Sequence, residues 1–168
     1  KTTGTNSIAS SLGITSTLSS TGKDYEFAEQ AIITGDYITL PLTANQSVAM
    51  AITVVDSFGT HTFDAAAAVT TAAVDLDDVG QAISGDTSHA SGVYSINLSA
   101  TSGGFEVATL YFIDEDGDVI TDPAAVTAVN GRMVIKTTQG GVDVDVSLDA
   151  GSGGVDGDLV LLGLTDSA

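Results

Sequence analysis

The segment VDLDDVGQAISGDTSHASGVYSINLSATSGGFEVATLYF, residues 74–112, reads as one short helix followed by two strands. Leu76, Val79 and Ile83 fall at i, i+3 and i+7, which puts them on one helical face. Asp75 is placed to cap the first turn, and Asp77 and Asp78 sit where the helix dipole favours negative charge. Gly85 is placed to end the helix in a left-handed conformation. From Gly92 the period changes to two: Val93, Ser95, Asn97 and Ser99 share one face, and Tyr94, Ile96 and Leu98 the other. After a turn at Ser102-Gly103-Gly104, Phe105, Val107, Thr109 and Tyr111 alternate with Glu106, Ala108, Leu110 and Phe112. A helix laid on a hairpin is a thin amphipathic layer, and it needs a partner sheet to bury its apolar face.

The rest of the chain offers the strands for that partner. Residues 24–33 (DYEFAEQAII) read as strand or helix, Gly35-Asp36 as a turn, and residues 37–42 (YITLPL) as a strand. Pro41 cannot donate to a ladder, so that strand is expected at an edge. Residues 47–56 and 60–64 form an expected hairpin across Ser57-Phe58-Gly59, and the small-residue run 65–73 leads into the helix. Downstream, Asp122-Pro123 opens an Ala/Val segment and Asn130-Gly131 is a turn signal. Residues 132–138, 142–148 and 159–164 read as three further strands between Gly-rich turns at 139–141 and 150–157. The expectation is a mainly β (β-rich α+β) fold with about eight to ten short strands and one or two short helices, in two packed sheets or subdomains. Residues 1–22 read as a connector and the end of a preceding unit. Residues 23–168 read as a β-rich surface domain, with a division into two subdomains expected near 111–118.

With 168 residues the chain can bury a real core. Hydrophobic residues make up 43% but aromatics only 5%, so the core should be thin and sheet-like. The formal net charge is −18, from 22 acidic residues against Lys1, Lys23, Arg132 and Lys136. That balance argues against nucleic acid and against an anionic membrane surface as partners. It keeps a surface hydrated and suits high salt, where self-repulsion is screened. Without cysteine there is no disulfide scaffold and no thiolate metal site, a composition compatible with export as an unfolded chain. No stretch reads as a signal peptide or a membrane span, and the opening KTTGTNS reads as a cut inside a longer protein.

Four stretches together carry a family resemblance: AMAITVVDSFGTHTFD (49–64), VDLDDVGQAI (74–83), GVYSINLSA (92–100) and GGFEVAT (103–109). They resemble the insertion motif of bacterial flagellins and flagellar hook-associated proteins, including the filament cap. GDLVLLGLTDSA (157–168) is similar to the "LGL" closure of such units, and IASSLGITST (8–17) to the end of a preceding one. Ala82-Ile83-Ser84 stands where the family usually has A-I-N. The resemblance implies an outer, surface-exposed, non-catalytic domain of an extracellular flagellar filament or hook-associated protein. Its partners would be other copies of itself or other axial proteins, and the helical termini that build the assembly would lie outside this chain.

The sharpest chemical cluster is DEDGD at 114–118. Asp114, Asp116 and Asp118 alternate around a Gly turn and are the candidate calcium ligands. The twelve-residue calcium-loop pattern is not completed, since its last position falls on Ala125. The competing reading is an acidic hairpin turn built on Asp-Gly. The calcium reading carries the alternative function, a calcium-binding or ligand-binding module of a secreted adhesin or surface-layer protein with a host or surface ligand. VDVDVSLD at 142–149 puts Asp143, Asp145, Ser147 and Asp149 on one face and Val142, Val144, Val146 and Leu148 on the other. His61 and His89 are the only histidines, too few for zinc, and no nucleophile elbow is present. The Gly-rich 151–157 lacks the Lys of a phosphate loop, and Asn45 and Asn97 open sequons. With no convergent catalytic set, no enzyme is expected.

Overall fold

The computed structural model describes residues 29–43, 48–65, 72–89, 91–98, 103–128, 131–151 and 156–164. Among them, seven strands form two antiparallel sheets, which is the β-rich architecture the sequence implied. The first sheet has the order β1 (Gln30–Tyr37), β6 (Arg132–Gly140), β5 (Glu106–Ile113), β4 (Val93–Asn97). The second has the order β3 (Gly59–Ala65), β2 (Met50–Asp56), β7 (Asp145–Asp149). Helices α1 (Leu76–Ser84) and α2 (Asp156–Leu161) and a 3-10 turn at Pro123–Ala125 complete the described elements.

The larger sheet presents to the core the rows Ile33–Ile135–Leu110–Tyr94 and Ala108–Ile96, with Met133 paired to Phe112. Two things cover this face. Helix α1 lies over β4 and β5, and the second sheet approaches through β2 and β7 over β1 and β6. The second sheet contributes Met50, Ile52, Val54, Val146 and Leu148 to the same hydrophobic cluster. Residues on both sides of 111–118 therefore enter one core. Leu76, Val79 and Ile83 are buried as their spacing requires. Gly80 lets the helix sit close, because a Cβ there would lie 2.3 Å from the Tyr94 ring.

The local signals around α1 are realised. The Asp75 carboxylate accepts the Asp78 N–H at 2.9 Å, Asp78 in turn accepts the Val74 N–H at 2.9 Å, and Gly85 ends the helix at φ 69°. The hairpin expected after Ser47 forms between β2 and β3 with Ser57-Phe58 as its turn.

Five expectations differ from the structure. Gly35-Asp36 is not a turn: β1 runs through it. A Cβ at Gly35 would be 2.9 Å from the Gly163 oxygen, and the Asp36 N–H donates to that oxygen at 2.7 Å, so the glycine serves a close approach. Consequently residues 38–42 are not a ladder strand; only Leu42 bridges, to Ala73. Residues 159–164 are not a strand either. Leu159 and Leu162 are buried three apart on α2 and its exit turn. The Leu164 N–H donates to the Leu159 oxygen and the Gly163 N–H to the Val160 oxygen, with Gly163 at φ 71°, which is a Schellman closure. Val142 is 76% exposed, because residues 141–144 turn the chain from one sheet to the other and β7 starts only at Asp145.

Strand β5 departs from the strict alternation expected over residues 105–112. The register between β4 and β5 shifts between Ile96 and Asn97, leaving Val107 as the extra residue of a bulge. The bulge buries Val107 beside Ala108 and turns Glu106 to the outer face. There Glu106 accepts the Ser95 hydroxyl at 2.6 Å and the Thr109 hydroxyl at 3.2 Å.

Candidate functional site

The acidic turn at 114–118 joins β5 to an isolated bridge between Ile113 and Val119. One oxygen of Asp114 accepts the N–H groups of Asp116 (3.0 Å) and Asp118 (2.9 Å). The Asp114 N–H donates to the Asp118 oxygen at 3.0 Å, and Gly117 takes φ 88°. The Asp114 carboxylate thus organises the backbone of the turn, and Asp116 and Asp118 are exposed beside it. Among the described residues no group of three or more His, Asp or Glu is gathered to hold a metal ion.

The histidines sit in two different settings. His61 Nε2 lies 2.9 Å from Asp56 Oδ1, which also accepts the Phe58 N–H at 2.7 Å across the β2–β3 turn. Beside it, Phe58, Thr60, His61, Leu98 and Phe105 line a shallow depression of about 510 Å³. Phe58, 70% exposed, meets Phe105 edge to face at 5.9 Å between ring centres.

His89 belongs to a tighter network under α1. Asp77 Oδ1 accepts the Tyr94 hydroxyl and lies 2.5 Å from His89 Nε2, while Asp77 Oδ2 accepts Gln81 Nε2 at 2.6 Å. The His89 ring stacks on Tyr94 at 4.6 Å, and its Nδ1 is buried with no hydrogen-bond partner. Burial, then the bond to Asp77, pushes the Tyr94 hydroxyl well above the usual tyrosine range. Burial also raises the Asp75 carboxyl, against the bond from the Asp78 N–H and helped by the charges of Asp78 and Asp77. Asp86 is lowered by the Ser88 N–H and hydroxyl that it accepts. At the helix N-terminus Asp77 already has a sufficient local role, which hides this network from a reading of the sequence. The alternation that places Tyr94 inward was its only signal.

The two outer sheet faces differ sharply in chemistry. On the second sheet the outer rows are Thr53–Thr62–Ser147, Val55–Thr60–Asp145 and Ala51–Asp64–Asp149. The acidic face expected from VDVDVSLD is therefore present, but only from Asp145 onward; Asp143 lies in the preceding turn. On the first sheet the outer rows are Ile32–Lys136–Thr109–Ser95, Thr34–Val134–Tyr111–Val93 and Tyr37–Arg132–Ile113. Ile32 is 53% and Tyr37 43% exposed, and the Arg132 guanidinium lies 5.7 Å from the Tyr37 ring centre.

Against known proteins, the chain matches no family model, no curated protein and no solved structure.

Proposed function

We propose that the chain is a non-catalytic structural domain that acts through its surfaces. Within that class we assign it to the outer, surface-exposed part of a bacterial flagellar axial protein, flagellin or hook-associated, outside the cell. The observation that carries this reading is the set of four family-like stretches. They fall on the β2–β3 hairpin, α1, β4 and the entry to β5, and these elements share one core. The acidic outer surface adds hydration, and the apolar rows of the first sheet offer a place for lateral contact. Immunogold electron microscopy of the source cells, with antibody raised against this chain, tests it. Label along, at the tip or at the base of filaments is the expected result. Label on the cell envelope with bare filaments would overturn it.

The second reading, a ligand-binding module of a secreted adhesin or surface-layer protein, is favoured by one observation. The exposed Phe58–Phe105 pair beside His61 makes an aromatic cup with a polar rim, the kind of concavity in which a small ligand is held.

A further inference from the structure

The two outer faces lie on opposite sides of a two-layer molecule, and their chemistry is complementary. The face of the second sheet carries Asp64, Asp145 and Asp149 among hydroxyl side chains. The named rows of the first sheet carry Arg132 and Lys136 among Ile32, Tyr37, Tyr111 and Val93, with Glu106 at one corner. In a chain with 22 acidic and four basic residues, the described residues place their only Lys and Arg side chains on that single face. The Arg132 Nε is buried and has no hydrogen-bond partner.

We propose that copies of this chain stack through these faces, the acidic outer face of one against the Lys136/Arg132 face of the next. A two-fold contact is disfavoured, because it would set Asp145 and Asp149 against themselves, or Lys136 and Arg132 against themselves. A contact between two different faces leaves every pair with one face of each kind unused, so it propagates as an open stack. The apolar side chains around Lys136 supply area, and the charges set direction and register. The inference deepens the axial-protein reading and rests on it for bringing copies together. Its test uses the isolated chain, so immunogold labelling and stacking fail or succeed separately.

The experiment is analytical ultracentrifugation over a wide concentration range at about 0.15 M salt, where a Debye length of about 8 Å screens the long-range repulsion of a net charge of −18 but leaves charges in direct contact to act. The average mass of the wild-type chain should rise past that of two copies without levelling. Lys136→Glu alone, and Asp145→Lys with Asp149→Lys, should each weaken association at least tenfold while keeping the wild-type circular dichroism. Mixed together, the two variants regain the native contact between their intact faces and a charge-reversed contact between their altered faces, so the mixture should associate where neither variant does alone. Four results would overturn the proposal: a wild type that stays monomeric, one that stops at a symmetric dimer, variants that associate like wild type, or a mixture that does not pair.

Discussion

Asp77 shows how much one side chain can be asked to do in a thin core. It lies in the first turn of α1, takes the Tyr94 hydroxyl, sits beside His89 and accepts Gln81. Because the native Tyr94 hydroxyl is held above its unfolded value, its contribution to stability is complete below the usual tyrosine value near 10 and is lost as pH rises beyond it. The unfolded chain ionises there while the native tyrosine does not. An alkaline titration followed at 295 nm should therefore leave the equivalent of one of the four tyrosines silent until the chain unfolds. In Tyr94→Phe that late component should disappear, with a stability cost of about 1 kcal/mol for the lost hydrogen bond. A late component that survives the substitution would assign the protected group elsewhere. None of this is legible in the sequence, where His89 is one of only two histidines and Tyr94 shares a strand face with Ile96 and Leu98.

At the scale of elements, what could be read from the sequence was what is decided locally. The start of α1, its Gly85 exit and the two hairpins depend on neighbours a few residues apart, and all were legible. Segments whose conformation is set by distant partners were not: β1 continues through Gly35 because Gly163 approaches it, and α2 closes with Gly163 because Asp36 is there. Two glycines with nearly the same φ make the distinction measurable. At Gly85 (φ 69°) a Cβ would meet nothing within 4 Å, so Gly85→Ala should cost only the left-handed penalty, about 1 kcal/mol. At Gly163 (φ 71°) a Cβ would lie 2.2 Å from the Asp36 carbonyl oxygen, so Gly163→Ala should cost at least about twice as much. Equal melting temperatures for the two variants would remove the β1–α2 clasp from the account. The N-terminus of α1 gives a signed pH effect. The native Asp75 carboxyl is raised, so its contribution is complete below the unfolded value near 3.9 and is lost as pH rises through its native value. Asp75→Asn keeps the acceptor for the Asp78 N–H and removes the charge. It should equal or exceed wild type at pH 7, and that advantage should shrink toward pH 3. Asp75→Ala, which loses the acceptor, should be less stable by about 1 kcal/mol at pH 7. An Asn variant as poor as Ala would mean that charge, not capping geometry, holds this end.

For the whole molecule the governing quantity is charge. A net charge of −18 on 168 residues repels itself at low ionic strength, where the Debye length is about 30 Å, and far less at 1 M salt, where it is about 3 Å. The melting temperature should therefore climb steadily with sodium chloride, and a flat response would show that the carboxylates are too dispersed to matter. The same experiment separates general screening from the calcium reading of Asp114, Asp116 and Asp118. A site filled at about 100 times its dissociation constant would add about 2.7 kcal/mol. At about 2–4 °C per kcal/mol for a chain of this size, that is a shift of roughly 5–11 °C. Screening alone gives calcium and magnesium nearly the same effect at matched ionic strength. The Asp114 carboxylate is already occupied by two backbone N–H groups of its own turn, and a metal would have to share or displace them. The expected result is that calcium raises the melting temperature no further than magnesium does, with Asp116→Asn and Asp118→Asn melting like wild type in either salt. A calcium-specific rise that both variants abolish would move the acidic turn from hairpin to ligand site, and the balance from filament surface to adhesin-type module.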